Sequence, residues 1–112
     1  MTNWIHPAKT ALLVTKSLIS FRDEQDLSKF NQVISFWEQA DQSRDKPIDL
    51  LRLFGEGLSL FLALPDYIKN IEIKPGLSAY NVYVRNALYE AMAIANSNEI
   101  RVTFDTKGPV FH

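Results

Sequence analysis

Few side chains in this sequence could transfer a proton or hold a metal ion. Histidine occurs only at His6 and His112, close to the two ends of the chain. A histidine dyad or metal site would have to join two terminal segments, which are poorly ordered unless something ties them down. Cysteine is absent, which excludes thiol catalysis, cysteine-ligated zinc and disulfides. We therefore expect two solvated imidazoles, no bound metal and no cofactor.

Paired carboxylates are the other raw material for acid–base chemistry. Asp49 and Glu56 share one face of a predicted helix, with Arg52 between them. Spacings of three and four residues are those of ion pairs on an exposed helix surface, each worth about 0.2–0.5 kcal/mol. The acidic run 23–26 has no glycine to turn a calcium loop, so it is interpreted as helix-start charge. An enzyme that uses carboxylates alone is the weakest of three functional hypotheses.

Charge and hydropathy argue against several classes of partner. The chain has 12 Lys and Arg against 13 Asp and Glu, and neither sign clusters, so no global field would draw it to nucleic acid or an anionic membrane. Gly55-Glu56-Gly57 lacks the remaining residues of a phosphate-binding loop. No apolar run is long enough for a signal-peptide core or a membrane span. Together with the missing cysteines, this predicts a cytoplasmic protein.

One surface has a composition typical of protein interfaces. Val82, Arg85, Asn86 and Tyr89 fall together on the polar side of a predicted C-terminal helix. Aromatic, arginine and amide groups in combination are enriched at the centre of protein–protein contacts. The alternative is that the N-terminal segment or a C-terminal strand covers these side chains and makes Tyr89 part of the core.

The elements that must position this surface follow from hydrophobic periodicity. Residues 25–42 give the clearest helical stripe, with Asp23 or Asp26 as its cap. Residues 47–63 predict a central helix that is apolar on most sides and opens with a proline. Gly55 and Gly57 inside it indicate either the close approach of another backbone or a break.

The C-terminal half predicts a second long helix between two strands. Ile71-Glu72-Ile73-Lys74 alternates and ends at Pro75-Gly76, and residues 99–105 alternate in the same way. Ser78 is the expected N-cap of a helix over 78–95. Its predicted buried seam consists of Leu77, Tyr80, Val84, Leu88, Ala91 and Ala95. If the two strands paired, the helix would form a right-handed parallel crossover.

The segment 7–21 fits neither period, and it contains several β-branched residues, which are typical of strands. Helix is slightly favoured, and strand is the alternative. We therefore predict one domain over 1–112, mainly α, with about four helices around the helix 47–63 and one or two short β-strands near the C-terminus. An α+β arrangement is the variant of this fold class.

The function predicted from these residues is binding of another protein, as a small inhibitor, immunity protein or adaptor without enzymatic activity. The partner could also be a second copy of the chain. The alternative is a dimeric DNA-binding regulator that reads DNA with the helix 78–95. Arg85 is the one cation in the first turns of that helix, so nucleic acid is the less favoured partner.

Overall fold

The protein is mainly α-helical, as predicted, with short antiparallel strands in its C-terminal half. A computed structural model describes residues 3–112. Within that range no helix is long and apolar enough to cross a membrane. The elements, in chain order, are α1 (Ile5–Lys16), α2 (Glu24–Gln42), α3 (Pro47–Leu62), α4 (Asp66–Lys69), β1 (Glu72–Lys74), β2 (Leu77–Ser78), a π-helical segment (Ala79–Val84), α5 (Arg85–Ser97), β3 (Val102–Asp105) and β4 (Gly108–Phe111).

Helix α2 forms as its apolar stripe predicts. Asp23 is its N-cap, and its side chain accepts a hydrogen bond of 2.8 Å from the backbone N–H of Gln25. This bond satisfies one of the donors that the first turn of a helix leaves free. The buried face consists of Phe30, Val33, Ile34, Trp37 and Ala40. These side chains belong to a single apolar cluster that also includes buried residues of α1, α3 and α5.

Helix α3 is central and unbroken, and its two glycines mark close contacts with other elements. A Cβ on Gly57 would lie 2.4 Å from the indole Nε1 of Trp37, and one on Gly55 would lie 2.6 Å from the Cβ of Pro109 in β4. A close approach, the first alternative, is therefore present at both glycines, but the approaching atoms belong to side chains and not to another backbone. The indole of Trp37 is fully buried, stacks on Phe54 and donates to the carbonyl of that residue at 3.2 Å.

The segment that the sequence left open is a helix over most of its length. Helix α1 buries every third or fourth residue, namely Ile5, Ala8, Ala11, Leu12 and Thr15. Leu13 and Val14 are half exposed on its other side, which explains why the apolar pattern showed no clear stripe. The hydroxyl of the buried Thr15 donates to the carbonyl of Ala11 at 2.7 Å, so this β-branched polar residue is accommodated inside the helix.

The long C-terminal helix starts at its predicted cap but with a wider turn. The hydroxyl of Ser78 accepts from the backbone N–H of Asn81 at 3.0 Å, and the next six residues form a π-helix. A π-helix bonds each residue to the fifth along the chain, whereas an α-helix uses the fourth. The buried Val84 therefore shares its face of the helix with Ala79, five residues earlier, which is also buried. Tyr80 turns outward.

The predicted buried seam of this helix is accordingly wrong at its start and largely correct beyond it. Val84, Ala91 and Ala95 are buried and Leu88 is partly buried, whereas Leu77 and Tyr80 are 44% and 37% exposed. Further buried residues of α5 were not in the predicted set, and these are Ala87, Glu90 and Ile94.

The strands near 71–74 and 99–105 exist but do not pair with each other. Each belongs to its own two-stranded antiparallel sheet, β1 with β2 and β3 with β4, so the parallel crossover does not form. Both sheets are local hairpins: Pro75-Gly76 turns the first, with Gly76 at a φ of 78° that suits glycine. The second places Val102 opposite Phe111 and Asp105 opposite Gly108, and packs on α3.

Candidate functional site

The structure brings the four predicted contact residues together on one side of the C-terminal helix. Tyr89 is 60% exposed, so neither the N-terminal segment nor the C-terminal hairpin covers it. Arg85 is exposed one turn before it. Val82 and Asn86 are half-buried, and the side-chain amide of Asn86 donates to the backbone carbonyl of Val82. The set is thus a solvent-facing patch with one fixed amide.

A groove of about 340 Å³ lies beside this patch, between the C-terminal helix and the strand β3. Leu58 of α3 and Val84 are almost fully buried and form its floor. Arg85 and Met92 are exposed and stand at its rim. The complete lining is Leu58, Leu62, Tyr80, Val84, Arg85, Leu88, Met92, Val102, Thr103 and Phe104. Arg85 therefore belongs both to the predicted patch and to the groove.

The groove is apolar apart from a few polar groups, and those that can carry charge are cationic. The polar groups of its lining are the guanidinium of Arg85 and the hydroxyls of Tyr80 and Thr103. A second depression shares Met92, Val102 and Thr103 with the groove and adds Arg101 and His112 to its walls. Neither lining includes an aspartate or glutamate. Arg85 in the first depression and Arg101 in the second would therefore attract an anionic ligand.

Sequence reasoning missed most of the groove because its walls come from distant segments. Tyr80 and Leu88 were assigned to the buried seam, and Met92 and the strand residues were not singled out. The π-helical turn rotates Tyr80 out of the seam, where its ring stacks on Phe61 with centroids 6.1 Å apart. The available signal was the spacing of Arg85, Leu88 and Met92 along one helix edge, which predicts a common face.

The second cluster of ionisable groups surrounds Glu90, the one buried charged side chain of α5. Its carboxylate accepts hydrogen bonds from the backbone N–H groups of Trp4 at 3.2 Å and Ile5 at 3.1 Å, and lies 3.5 Å from the guanidinium of Arg44. A carboxylate at a helix N-terminus satisfies free donors and opposes the positive end of the helix dipole. Glu90 thus fastens the start of α1 to α5. The only signal in the sequence was the placement of this Glu between Ala87 and Ala91, two small apolar residues of the predicted helix.

The two histidines have different neighbours in the structure. His6 is mainly exposed, with Nδ1 3.4 Å from a carboxylate oxygen of Asp41. His112 is exposed, its Nε2 lies 2.9 Å from the hydroxyl of Thr103, and its backbone N–H donates to the carbonyl of Arg101. The C-terminal residue is therefore tied to β3.

The carboxylates of α3 form part of the predicted ion-pair stripe. Asp49 and Arg52 pair at 3.4 Å, with both side chains about half exposed. Over residues 3–112 the expected pair between Arg52 and Glu56 does not form. The Arg52 guanidinium instead lies over the ring of Phe111, 5.4 Å from its centroid, because β4 packs against this side of α3. The predicted second pair was wrong for that reason.

Over residues 3–112 no three His, Asp or Glu side chains are grouped so that they could hold a metal ion. Comparisons with protein-family models, with curated proteins and with solved structures found no match. The functional argument for this chain therefore depends on the geometry and chemistry of the patch and the groove.

Proposed function

We propose that this protein is a small interaction module that binds a partner protein through the face formed by Val82, Arg85, Asn86 and Tyr89. The observation that carries the proposal is the 60% exposure of Tyr89, a large aromatic side chain presented to solvent from a regular helix. Tyrosine supplies a large contact area at a low cost in side-chain entropy, and it is enriched where binding energy concentrates.

The neighbours of Tyr89 support the same proposal. Met92, one turn further along α5, is 48% exposed and adds a flexible apolar side chain, of the kind found on protein-binding surfaces. Arg85, one turn earlier, adds a charged group that can form paired hydrogen bonds with a carboxylate. Since Asn86 is already bonded to Val82, the centre of the face is ordered before a partner arrives.

The role that we propose is that of an inhibitor, an immunity protein or an adaptor, in which occupying the surface of a partner is the whole activity and no cofactor takes part. The absence of cysteine supports action in the cytoplasm, because a chain that uses no disulfides for stability is not weakened by reducing conditions. The partner could be another protein or a second copy of this chain.

Affinity capture from the native host, with identification by mass spectrometry, tests this proposal. The test variant combines Arg85→Ala and Tyr89→Ala. The matched control combines Leu18→Ala and Arg52→Ala, since Leu18 is 51% exposed and Arg52 is exposed on α3, away from the proposed face. We expect a protein that the wild type and the control capture and the test variant loses. A partner retained by all three forms, or no specific partner at all, would contradict the proposal.

A further inference from the structure

The strand β3 has a free edge, and that edge forms one wall of the groove. The sheet contains two strands, so β3 is paired with β4 on one side only. Three consecutive residues, Val102, Thr103 and Phe104, line the groove. Successive side chains of a strand point to opposite faces, so a groove that touches all three lies along the strand's edge.

The hydrogen-bond pattern shows which backbone groups this edge presents. The backbone N–H of His112 donates to the carbonyl of Arg101, and the register places Val102 opposite Phe111 and Phe104 opposite Pro109. Hydrogen-bonded and non-bonded pairs alternate along an antiparallel ladder. Val102 and Phe104 are therefore at non-bonded positions, as the missing N–H of Pro109 requires, and their N–H and C=O groups point away from β4.

Those backbone groups remain available to a ligand. Across residues 3–112, no hydrogen bond from another element reaches the backbone of Val102 or Phe104. An unpaired strand edge is a template for one more strand, and natural proteins usually blunt such edges or use them. Here the edge stands beside a helix and above an apolar floor, so an added strand could pair with β3 and bury alternate side chains against Leu58 and Leu88.

The charge of the groove selects the kind of strand that fits. Arg85 borders the groove and Arg101 borders its continuation past Met92. Over residues 3–112, neither arginine forms an ion pair within the chain. With no acidic residue in either lining, the two cations are left for a partner, and they favour a segment that carries carboxylates.

We propose that the groove binds an extended, acidic segment of a partner protein, which adds to β3 as a third strand and places alternate apolar side chains on the floor of the groove. This inference rests on the proposed function and specifies its binding mode. Backbone pairing with Val102 and Phe104 supplies affinity, and the two arginines select carboxylates over cations.

Defined peptides test the binding mode without knowledge of the natural partner. The probe is a fluorescent eight-residue peptide that alternates glutamate with valine, and its counterpart replaces each glutamate by lysine. Fluorescence anisotropy measures the affinity of each for the full chain, and amide chemical shifts report which backbone groups respond. We expect the acidic probe to bind about tenfold or more tightly than the lysine peptide, and the amides of Val102 and Phe104 to shift most.

Two variants separate edge pairing from general charge attraction. Val102→Pro removes an edge N–H but no bond to β4, and Pro109 shows that this hairpin accepts proline at such a position. Arg85→Glu reverses one rim charge, and Lys29→Glu is its matched control at an exposed position of α2. We expect Val102→Pro and Arg85→Glu each to weaken the acidic probe about tenfold, and Lys29→Glu to leave it within about twofold. Circular dichroism checks that each variant is folded.

The outcomes distinguish this inference from the proposed function. Equal affinity for both peptides, no binding at millimolar concentration, or an unchanged affinity of Val102→Pro overturns the third-strand mode. Dimerisation of the wild type that Val102→Pro abolishes, measured by sedimentation, also overturns it, because the edge would then serve a second copy. If a host partner is still lost on Arg85→Ala and Tyr89→Ala in any of these cases, the proposed function stands.

Discussion

Replacement of Glu90 is the perturbation whose effect follows most directly from the structure. Its side chain is 1% exposed and accepts two backbone hydrogen bonds at the start of α1, besides its contact with Arg44. In Glu90→Ala the N–H groups of Trp4 and Ile5 lose their acceptor. A lost helix cap costs about 0.5–2 kcal/mol, and a buried polar group left unsatisfied costs about 1–3 kcal/mol.

The ion pair adds less than these bonds. The side chain of Arg44 is 34% exposed and also lies 2.9 Å from a carboxylate oxygen of Asp41, so the guanidinium keeps a partner and partial hydration when Glu90 is removed. We therefore assign the pair less than about 1 kcal/mol, close to the range of exposed ion pairs. The expected loss in the free energy of unfolding for Glu90→Ala is about 2–4 kcal/mol.

Urea unfolding followed by tryptophan fluorescence measures this loss. The expected result is a lower midpoint with an unchanged slope. Glu90→Gln keeps one oxygen acceptor without the charge, so it should lose about half as much. Glu38→Ala makes the same chemical change at an exposed position of α2 and should stay within about 0.5 kcal/mol of the wild type. A Glu90→Ala protein as stable as Glu38→Ala would refute the capping role.

Two further expectations concern the core and the contact between α4 and α2. Gly57→Ala should destabilise the fold by about 1–3 kcal/mol, although alanine is the better helix former. The reason is that the added Cβ would lie 2.6 Å or less from two atoms of the fully buried Trp37. Urea unfolding of that variant tests this expectation, and a gain in stability would contradict it. Burial raises the pKa of the Tyr67 hydroxyl, which also donates to Asp26 at 2.8 Å. A raised folded-state pKa means that the stabilisation from Tyr67 is complete below its ordinary value of 10.0 and is lost as the pH rises through the raised pKa. Thermal unfolding of Tyr67→Phe should therefore show a smaller loss of stability above about pH 10 than the wild type, and parallel profiles would contradict this.

The helices could be predicted from the sequence because each has an apolar stripe or a local signal at its end. Asp23, Pro47 and Ser78 mark helix starts in ways that depend only on nearby residues. Gly55 and Gly57 indicated close approaches, but the approaching groups are side chains where a backbone was expected, and their elements could not be named from the sequence. The hairpin partners were missed because strand pairing depends on a choice among distant segments, and β4 contains a proline at Pro109 that argues against a central strand.

The candidate site was predicted in part for a related reason. Arg85 and Tyr89 follow from the wheel of a single helix, so one periodicity places both. The groove needs α3, α5 and β3 together, and the free edge of β3 follows from which strand is its neighbour. Glu90 was overlooked because the groups that justify a buried carboxylate, the N–H groups of Trp4 and Ile5, lie more than eighty residues away in the chain.

The wide turn at Ala79–Val84 has a consequence for how this chain can change over evolutionary time. Its extra residue sets the rotational phase between the first hairpin and α5. Loss of a single codon there would let the turn close into an α-helix without disturbing the packing of α5. The residues before it would then swing by about 100° around the helix axis, the angle that one residue subtends. Homologues that differ by a one-residue gap in this stretch should present Leu77 and Tyr80 to a different side of the molecule.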